Sequence, residues 1–487
     1  MNDEVRDALA AIVARHGPAV ATDARRCEAL LRDHAGKHPR EIFLVVSAVE
    51  EGIARELAAA NGVPVGMLVG RLATRLVDRR AISEGAARWA VASWAVALGL
   101  EGADALRPAP APPPEAAKPG PAATRSTRIV VSADGLGDFT TIGAAVAASA
   151  PGTRIAVRPG LYDESVVVDR PVEIVGDGPP DHIVVRSAAG SCIRLDADEA
   201  LVRGLTLRCV AGRGATAFFA VDVGRGRLVL EDCDVSSDSL ACVGIHGAEA
   251  RPLIRRCAVH GGADAGVYAF DGASGEIEAC DIFENANVGV AITAGASPVV
   301  RECRIFRGGN AGVVSWAGGA GTIERCEIFE NAQAGVGISD GGHPIVTGCR
   351  IRDGGNSGVF VHDGGNGSIV GCDVSGHREA EIAITTGSAP ALRGCTIHDG
   401  AVGVLVASEG ATLEACEITR NAEAGVALLP GSRPTAYRCR VHGNGGHAVR
   451  AEAGAAGTFV ACDLGGNAGG AWHVDPDSDV RASGTRT

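Results

Sequence analysis

Lysine and glutamine are almost missing from this 487-residue chain: Lys37 and Lys118 are its only lysines and Gln333 its only glutamine. With a formal net charge of -13, everything after Lys118 carries arginine as its sole fixed cation. Nucleic acid and anionic membranes bind through a basic footprint that gains affinity by counterion release, so this balance excludes both as main partners and disfavours a polyanionic substrate. Aromatic residues are only 3% of the chain, which excludes a core built on a few large anchors; 68 glycines and 46% hydrophobic residues call instead for small and branched side chains stacked regularly. No apolar run of about 18 residues occurs, and Met1-Asn2-Asp3-Glu4 does not open a basic stretch leading into an apolar one. The expected setting is soluble and cytoplasmic. Fifteen cysteines would imply disulfides in a short secreted chain, but here most fall at one fixed period, and reduced core thiols are expected.

Residues 1–105 read as a small all-α domain. Apolar residues recur at three- and four-residue spacing over Arg26–Asp33, Arg40–Ala60, Val65–Val77 and Ser83–Leu98, with Ser83 as an N-cap. Trp89 and Trp94 share one side of the last segment and are expected in a packing face. No catalytic motif is present, and the segment resembles a small helical module attached to assorted bacterial multidomain proteins. Residues 106–127 carry seven prolines among alanines, including Pro112-Pro113-Pro114, and form a semi-rigid linker.

The rest of the chain repeats. Cys257, Cys280, Cys303, Cys326, Cys349, Cys372 and Cys395 stand 23 residues apart, and Cys416, Cys439 and Cys462 continue the series after one shorter step. Two residues after each comes Val, Ile or Leu, and nine residues after many comes Gly-Val, as at Gly266, Gly289, Gly312, Gly335 and Gly358. Short alternating runs with Gly or Asn at the corners mean strands joined by tight turns, and about 23 residues leave no room for a crossover helix. The architecture expected over 128–480 is an all-β right-handed parallel β-helix, a rod on the order of 55 Å with an inward cysteine ladder and a tail at 481–487. Pro252, Pro298, Pro344 and Pro390 are 46 apart, so rungs come in unlike pairs. Phe139 to Ser149 reads as a helix plugging the first rung.

Particular segments resemble two families. Asp138 to Ile142, Arg158-Pro-Gly-Leu-Tyr-Asp-Glu164 and Glu173-Ile-Val-Gly-Asp-Gly178 resemble the opening rungs of pectin methylesterases, including a Gly-x-Tyr-x-Glu element at Gly160, Tyr162 and Glu164. That family's oxyanion-stabilising glutamines have no counterpart here, and its Gln-Asp-Thr-Leu and Leu-Gly-Arg-Pro-Trp elements are absent, so the resemblance implies fold and not activity. Pro298-Val-Val-Arg-Glu-Cys-Arg-Ile-Phe-Arg-Gly-Gly-Asn310 and Gly321-Thr-Ile-Glu-Arg-Cys-Glu-Ile-Phe-Glu-Asn-Ala-Gln-Ala-Gly-Val336 resemble the paired rungs in the β-helix of an F-box ubiquitin-ligase adaptor. They are equally similar to the carbohydrate-binding and sugar-hydrolase repeat family of the pectin lyase-like superfamily. In the adaptor this region recognises substrate protein without chemistry; this chain has Cys where that family has Asn, and neither an F-box nor the adaptor's zinc module.

Candidate functional residues are those that break the pattern. Alternation after the Gly-Val step turns Tyr268, Phe270, Trp316, Phe360 and His362 outward, on every second rung, as a binding face with gaps of about 9 to 10 Å between rings. Phe283, Phe306 and Phe329 stack on consecutive rungs, either as a structural ladder or as a binding strip. Asp271, Asp340 and Asp363 sit at Gly-rich corners that favour Asp for turn hydrogen bonds, and His362 beside Asp363 is the best acid/base pair. Inward cysteines without a Cys-x-x-Cys pair indicate no metal site, and no cofactor motif is present. The function expected is a non-catalytic scaffold holding a protein or glycan along one lateral face; the alternative is a carbohydrate-active hydrolase, lyase or esterase.

Overall fold

The computed structural model describes residues 3–35, 37–58, 69, 72–73, 75–76, 84–100, 128–210 and 217–487. The chain divides into two units, Met1–Ala122 and Ala123–Thr487. The linker at 106–127, the Ser83 cap and most of the Val65–Val77 segment lie outside the described residues.

In the first unit the helices Asp3–His16, Ala24–Ala35, Pro39–Glu50, Ile53–Ala58 and Glu84–Ala97 surround one apolar cluster that includes Leu9, Leu31, Val45, Leu57 and Trp94. Trp94 is fully buried and its indole Nε1 donates to the Val45 carbonyl at 2.9 Å, the partner a buried indole needs. The single helix expected over 40–60 is in fact two. Gly52 adopts a left-handed conformation, φ 70°, which turns the chain between them.

In the second unit each complete rung gives one strand to each of three parallel sheets, and incomplete terminal rungs bring these to 16, 14 and 13 strands. Identical side-chain types meet in register: Ile282, Ile305, Ile328 and Ile351 align in one sheet, and Val267, Val290, Val313, Val336 and Val359 in another. Their outward neighbours alternate with them, so each strand contributes one side to a continuous core.

The corners explain the two sequence columns. The residue before each ladder cysteine is left-handed, as at Arg256 (φ 51°), Ala279 (φ 50°), Glu302 (φ 55°) and Arg325 (φ 50°), and this bends the chain so that the thiol faces in. Most of these thiols then donate to a strand carbonyl of the preceding rung: Cys303 to Ile277 at 3.5 Å, Cys326 to Val300 at 3.4 Å, Cys349 to Ile323 at 3.4 Å. At the next corner a buried polar column alternates Gly262, Asn285, Gly308, Asn331, Gly354 and His377. Asn285 Oδ1 accepts from the Gly262 N–H at 2.9 Å and Asn331 Oδ1 from the Gly308 N–H at 3.0 Å. A Cβ on Gly262 would stand 2.9 Å from that Asn285 oxygen. One rung supplies the amide and its partner the space, which is the physical content of the unlike pairs. After the short rung every corner carries asparagine, at Asn421, Asn444 and Asn467, each bonded to the next.

The first rung is covered by the helix Ile142–Ala148, which packs on the opening strands Arg128–Val131 and Val166–Val168 and buries Ile142, Ala145 and Val146. Its N-terminus is held by Glu164, whose carboxylate accepts from the Ile142 and Gly143 N–H groups at 2.7 and 2.8 Å. Tyr162 donates its hydroxyl to the Arg158 carbonyl at 2.8 Å. Gly160, Tyr162 and Glu164 are thus employed in building the cap. At the far end the strand Asp479–Ser483 pairs with Ala456–Val460, so pairing continues into the segment read as a tail. Among the described residues no helix is long and apolar enough to cross a membrane.

Candidate binding groove

The three outer faces of the β-helix differ in kind. On the 13-stranded sheet Asp281, Arg304, Glu327, Arg350 and Asp373 alternate in sign from rung to rung. Beside them His260, Phe283, Phe306 and Phe329 stack with centroids 4.9, 5.2 and 4.8 Å apart, and the Arg352 guanidinium closes the pile 4.5 Å from the Phe329 ring. Phe306 and Phe329 are only 8% exposed. This column is a structural ladder rather than a binding strip, because its ring faces are occupied by one another. On the 16-stranded sheet Glu231, Arg255, Glu278, Arg301 and Glu324 alternate likewise. Opposite charges at the inter-strand spacing stabilise the stack and keep two faces polar.

Between Tyr268 and Ala427 the outward column of the third face is uncharged; Arg194 and Asp222 precede this stretch and Arg450 follows it. Tyr268, Ala291, Val314, Gly337, Phe360 and Ala383 align on successive rungs of the 14-stranded sheet. Leu405 and Ala427 continue the column. Two residues further along these strands come Phe270, Thr293, Trp316, Ser339 and His362. Tyr268, Val314, Trp316 and Phe360 are half-buried against a second small apolar cluster that includes Ala265, Val288 and Ala311.

A polar ladder borders this strip. Asp264, Asn287, Asn310, Gln333 and Asn356 stand 23 residues apart, and each backbone N–H from Asn287 onward donates to the carbonyl of the residue before it in the ladder. The Asn287 amide donates to Asp264 Oδ1 and the Asn310 amide to Asn287 Oδ1, both at 2.9 Å. Among the described residues the side-chain amides of Gln333 and Asn356 make no such bond. Strip and ladder enclose an open groove of about 690 Å³. Among the described residues Asp264 is its only carboxylate, and neither arginine nor lysine lines it.

Of the five aromatic positions expected to face a ligand, Tyr268, Trp316, Phe360 and His362 line the groove. Phe270 does not; it lies 5.1 Å from the His246 ring and 4.9 Å from Tyr268. The even spacing expected between rings is also corrected. Tyr268 and Trp316 stack at 6.2 Å because the indole leans across the small Ala291 rung, while Phe360 pairs with His362 at 4.5 Å. The opening is therefore one recess, on the rung of Gln333, Gly337 and Ser339, between two aromatic lips.

His362 Nδ1 is 2.8 Å from Asp363 Oδ2, and the Asp363 side chain is 69% exposed. Asp271, Asp340 and Asp363 all have left-handed backbones, φ 54°, 45° and 48°, each followed by a glycine of positive φ. Their turn role follows directly from that geometry. Beyond the upper lip His246 Nε2 is 2.8 Å from Asp222 Oδ1, and this hydrogen bond to the carboxylate raises the histidine's pKa. Phe219 lies 6.3 Å from Phe270 and 6.5 Å from His246.

The family described as right handed beta helix region matches residues 191–348 and 334–486. The chain belongs to that family. No curated protein matches its sequence. Among solved structures, this right-handed β-helix is similar to a point mutant of a periplasmic alginate epimerase, with 11% identity over 67% of this chain and 78% of that one, TM-score 0.43. It is similar to the A-module of a mannuronan C-5 epimerase from Azotobacter vinelandii, with 15% identity over 71% and 90%, TM-score 0.40. The catalytic domain of a GH87 alpha-1,3-glucanase in complex with nigerose gives 12% identity over 76% and 70%, TM-score 0.39. These likenesses are of the fold.

Sequence reasoning missed Phe219, His246, Val314 and the whole polar ladder. The ladder's 23-residue spacing was present in the sequence as Asp264, Asn287, Asn310, Gln333 and Asn356.

Proposed function

We propose that the β-helix recognises a carbohydrate chain laid along the groove of the 14-stranded sheet. The observation that carries this reading is the contrast between faces: two are dressed with alternating charges, and the third joins aromatic ring faces to a row of amides. Sugars offer this combination of needs, apolar ring faces that lie on aromatic side chains and hydroxyls that exchange hydrogen bonds with planar amides. A protein partner of this acidic chain would be expected to use basic complementarity, and the groove holds little charge to answer it.

A second reading, processing of the bound glycan, rests on the hydrogen-bonded pair His362 and Asp363 at the lower lip. Hydrolysis by paired carboxylates does not fit the groove, whose lining has one carboxylate. Proton transfer by His362, with Asp363 orienting its ring, is the chemistry the pair offers.

The test is calorimetry with soluble oligosaccharides and, in parallel, an unstructured peptide library. Trp316→Ala with Phe360→Ala is expected to weaken glycan binding at least tenfold, roughly 1.4 kcal/mol. Capture of peptides but no glycan would overturn the reading. Turnover lost in His362→Ala with glycan affinity retained would establish the second.

A further inference from the structure

The groove's central recess is built by an omission. At the outward positions of the sheet, the rungs on either side carry Val314 with Trp316 and Phe360 with His362, whereas the rung between carries Gly337 with Ser339. Nothing in the fold requires glycine there. Gly337 is absent from the positive-φ residues, and a Cβ added to it would meet only the two Val314 methyls, at 3.7 Å, an ordinary contact. By contrast a Cβ at Gly335, two residues earlier, would stand 2.3 Å from an Ile351 methyl, so that glycine is fixed by packing. The hollow at Gly337 is space that the β-helix itself does not use. It is bordered by the chain's only glutamine, whose exposed amide has left the bonded ladder, and by the half-buried Ser339.

Resting on the glycan reading, we infer that this recess is the subsite that fixes which sugar the groove accepts, and that it seats one ring of a neutral, unbranched glycan. Trp316 and Phe360 stand on rungs two apart, about 9.5 Å along the rod, and the lean of the indole towards Tyr268 opens the space between them further, enough to admit one ring. Gln333 supplies a donor and an acceptor and Ser339 a hydroxyl, groups that read sugar hydroxyls. Charge decides against a uronate. A carboxylate placed in the recess would find, among the described residues, no arginine or lysine in the lining and would lie in the field of Asp264 and of a chain of net charge -13, so it would be desolvated without a fixed cation to pair with. A side branch on the seated ring would meet the floor at Gly337.

The experiment compares the full chain against neutral hexasaccharides of gluco, manno and xylo type and against oligouronates of equal length, by calorimetry and by saturation-transfer NMR. A neutral hexasaccharide is expected to bind at least tenfold more tightly than any oligouronate. Gly337→Phe should abolish that binding and Gly337→Ala reduce it by a smaller factor, both with unchanged unfolding midpoints. Gln333→Ala should alter the ranking among neutral sugars more than it lowers affinity overall. If Gly337→Phe does not fold, the Gly337→Ala variant and the wild-type ranking still decide. Oligouronates binding as tightly as neutral chains would overturn the inference while leaving the glycan reading in place. Neutral binding untouched by both Gly337 variants would show that the recess is not the subsite. Absence of binding to every glycan would overturn the glycan reading itself.

Discussion

Beside the strip stands His246, held by Asp222 and stacked on Phe270. Its pKa is raised chiefly by the hydrogen bond to the Asp222 carboxylate, with burial opposing. A group whose folded-state pKa is raised adds stability that is fully present below the ordinary histidine value and fades as pH rises through the raised one. NMR titration of the imidazole is accordingly expected to give a midpoint above the usual 6.5 or so, and Asp222→Asn should return it towards that value. A midpoint unchanged by Asp222→Asn would show that the carboxylate does not charge the ring. This pair was not legible beforehand. Asp222 and His246 are separated by a rung of irregular length just after the segment 211–216, where the 23-residue spacing does not hold, so no column connected them. Tyr268, Trp316, Phe360 and His362 could be read because they sit inside the regular rungs, where alternation alone turns them outward.

At the scale of elements, aromatic residues of one type have two fates. Phe306 lies between Phe283 and Phe329, flanked by Arg304 and Arg307, whereas Trp316 has one ring neighbour and an open side. Phe306→Ala removes two ring contacts and two guanidinium contacts from a nearly buried site and should cost about 2–4 kcal/mol, near the low end of aromatic core truncations. Trp316→Ala should cost under about 1 kcal/mol. Denaturant unfolding of the two variants measures the difference, and equal losses would mean that Trp316 is structural as well. The corner column offers a parallel case. Asn331→Ala strips the Gly308 N–H and the Ile305 carbonyl of the amide they share, at 3.0 and 3.2 Å, inside a buried corner. The loss expected is about 1–3 kcal/mol, because the stranded groups cannot turn to water. The two-rung period was visible in the prolines, but its cause was not, since the asparagine and glycine that share one bond are 23 residues apart and only stacking brings them together.

For the molecule as a whole, the cysteine ladder ties redox behaviour to folding. All fifteen cysteines are free and buried, Cys27 in the helical unit and the others in the β-helix. In-register stacking sets neighbouring side chains about 4.8 Å apart, whereas a disulfide draws its Cβ atoms to about 3.8 Å, so oxidising one pair would have to break the register of two rungs. Burial also keeps the thiols of Cys27 and Cys192 protonated. Desolvation lifts Cys27 and Cys192 to about 12, far from the range in which a thiolate forms and attacks. Because each rung contacts only its neighbours, no thiol of the ladder can be exposed without separating two sheets' worth of paired strands around it. A thiol reagent added to the folded protein should therefore label very slowly, while in rising denaturant the β-helix thiols should appear together with the loss of β-sheet circular dichroism. Cys27, located by mass spectrometry of the labelled peptides, reports separately on the helical unit. Stepwise release of ladder cysteines before the β-sheet signal falls would show that the rungs open individually, and native disulfides between ladder cysteines would refute the inward stack.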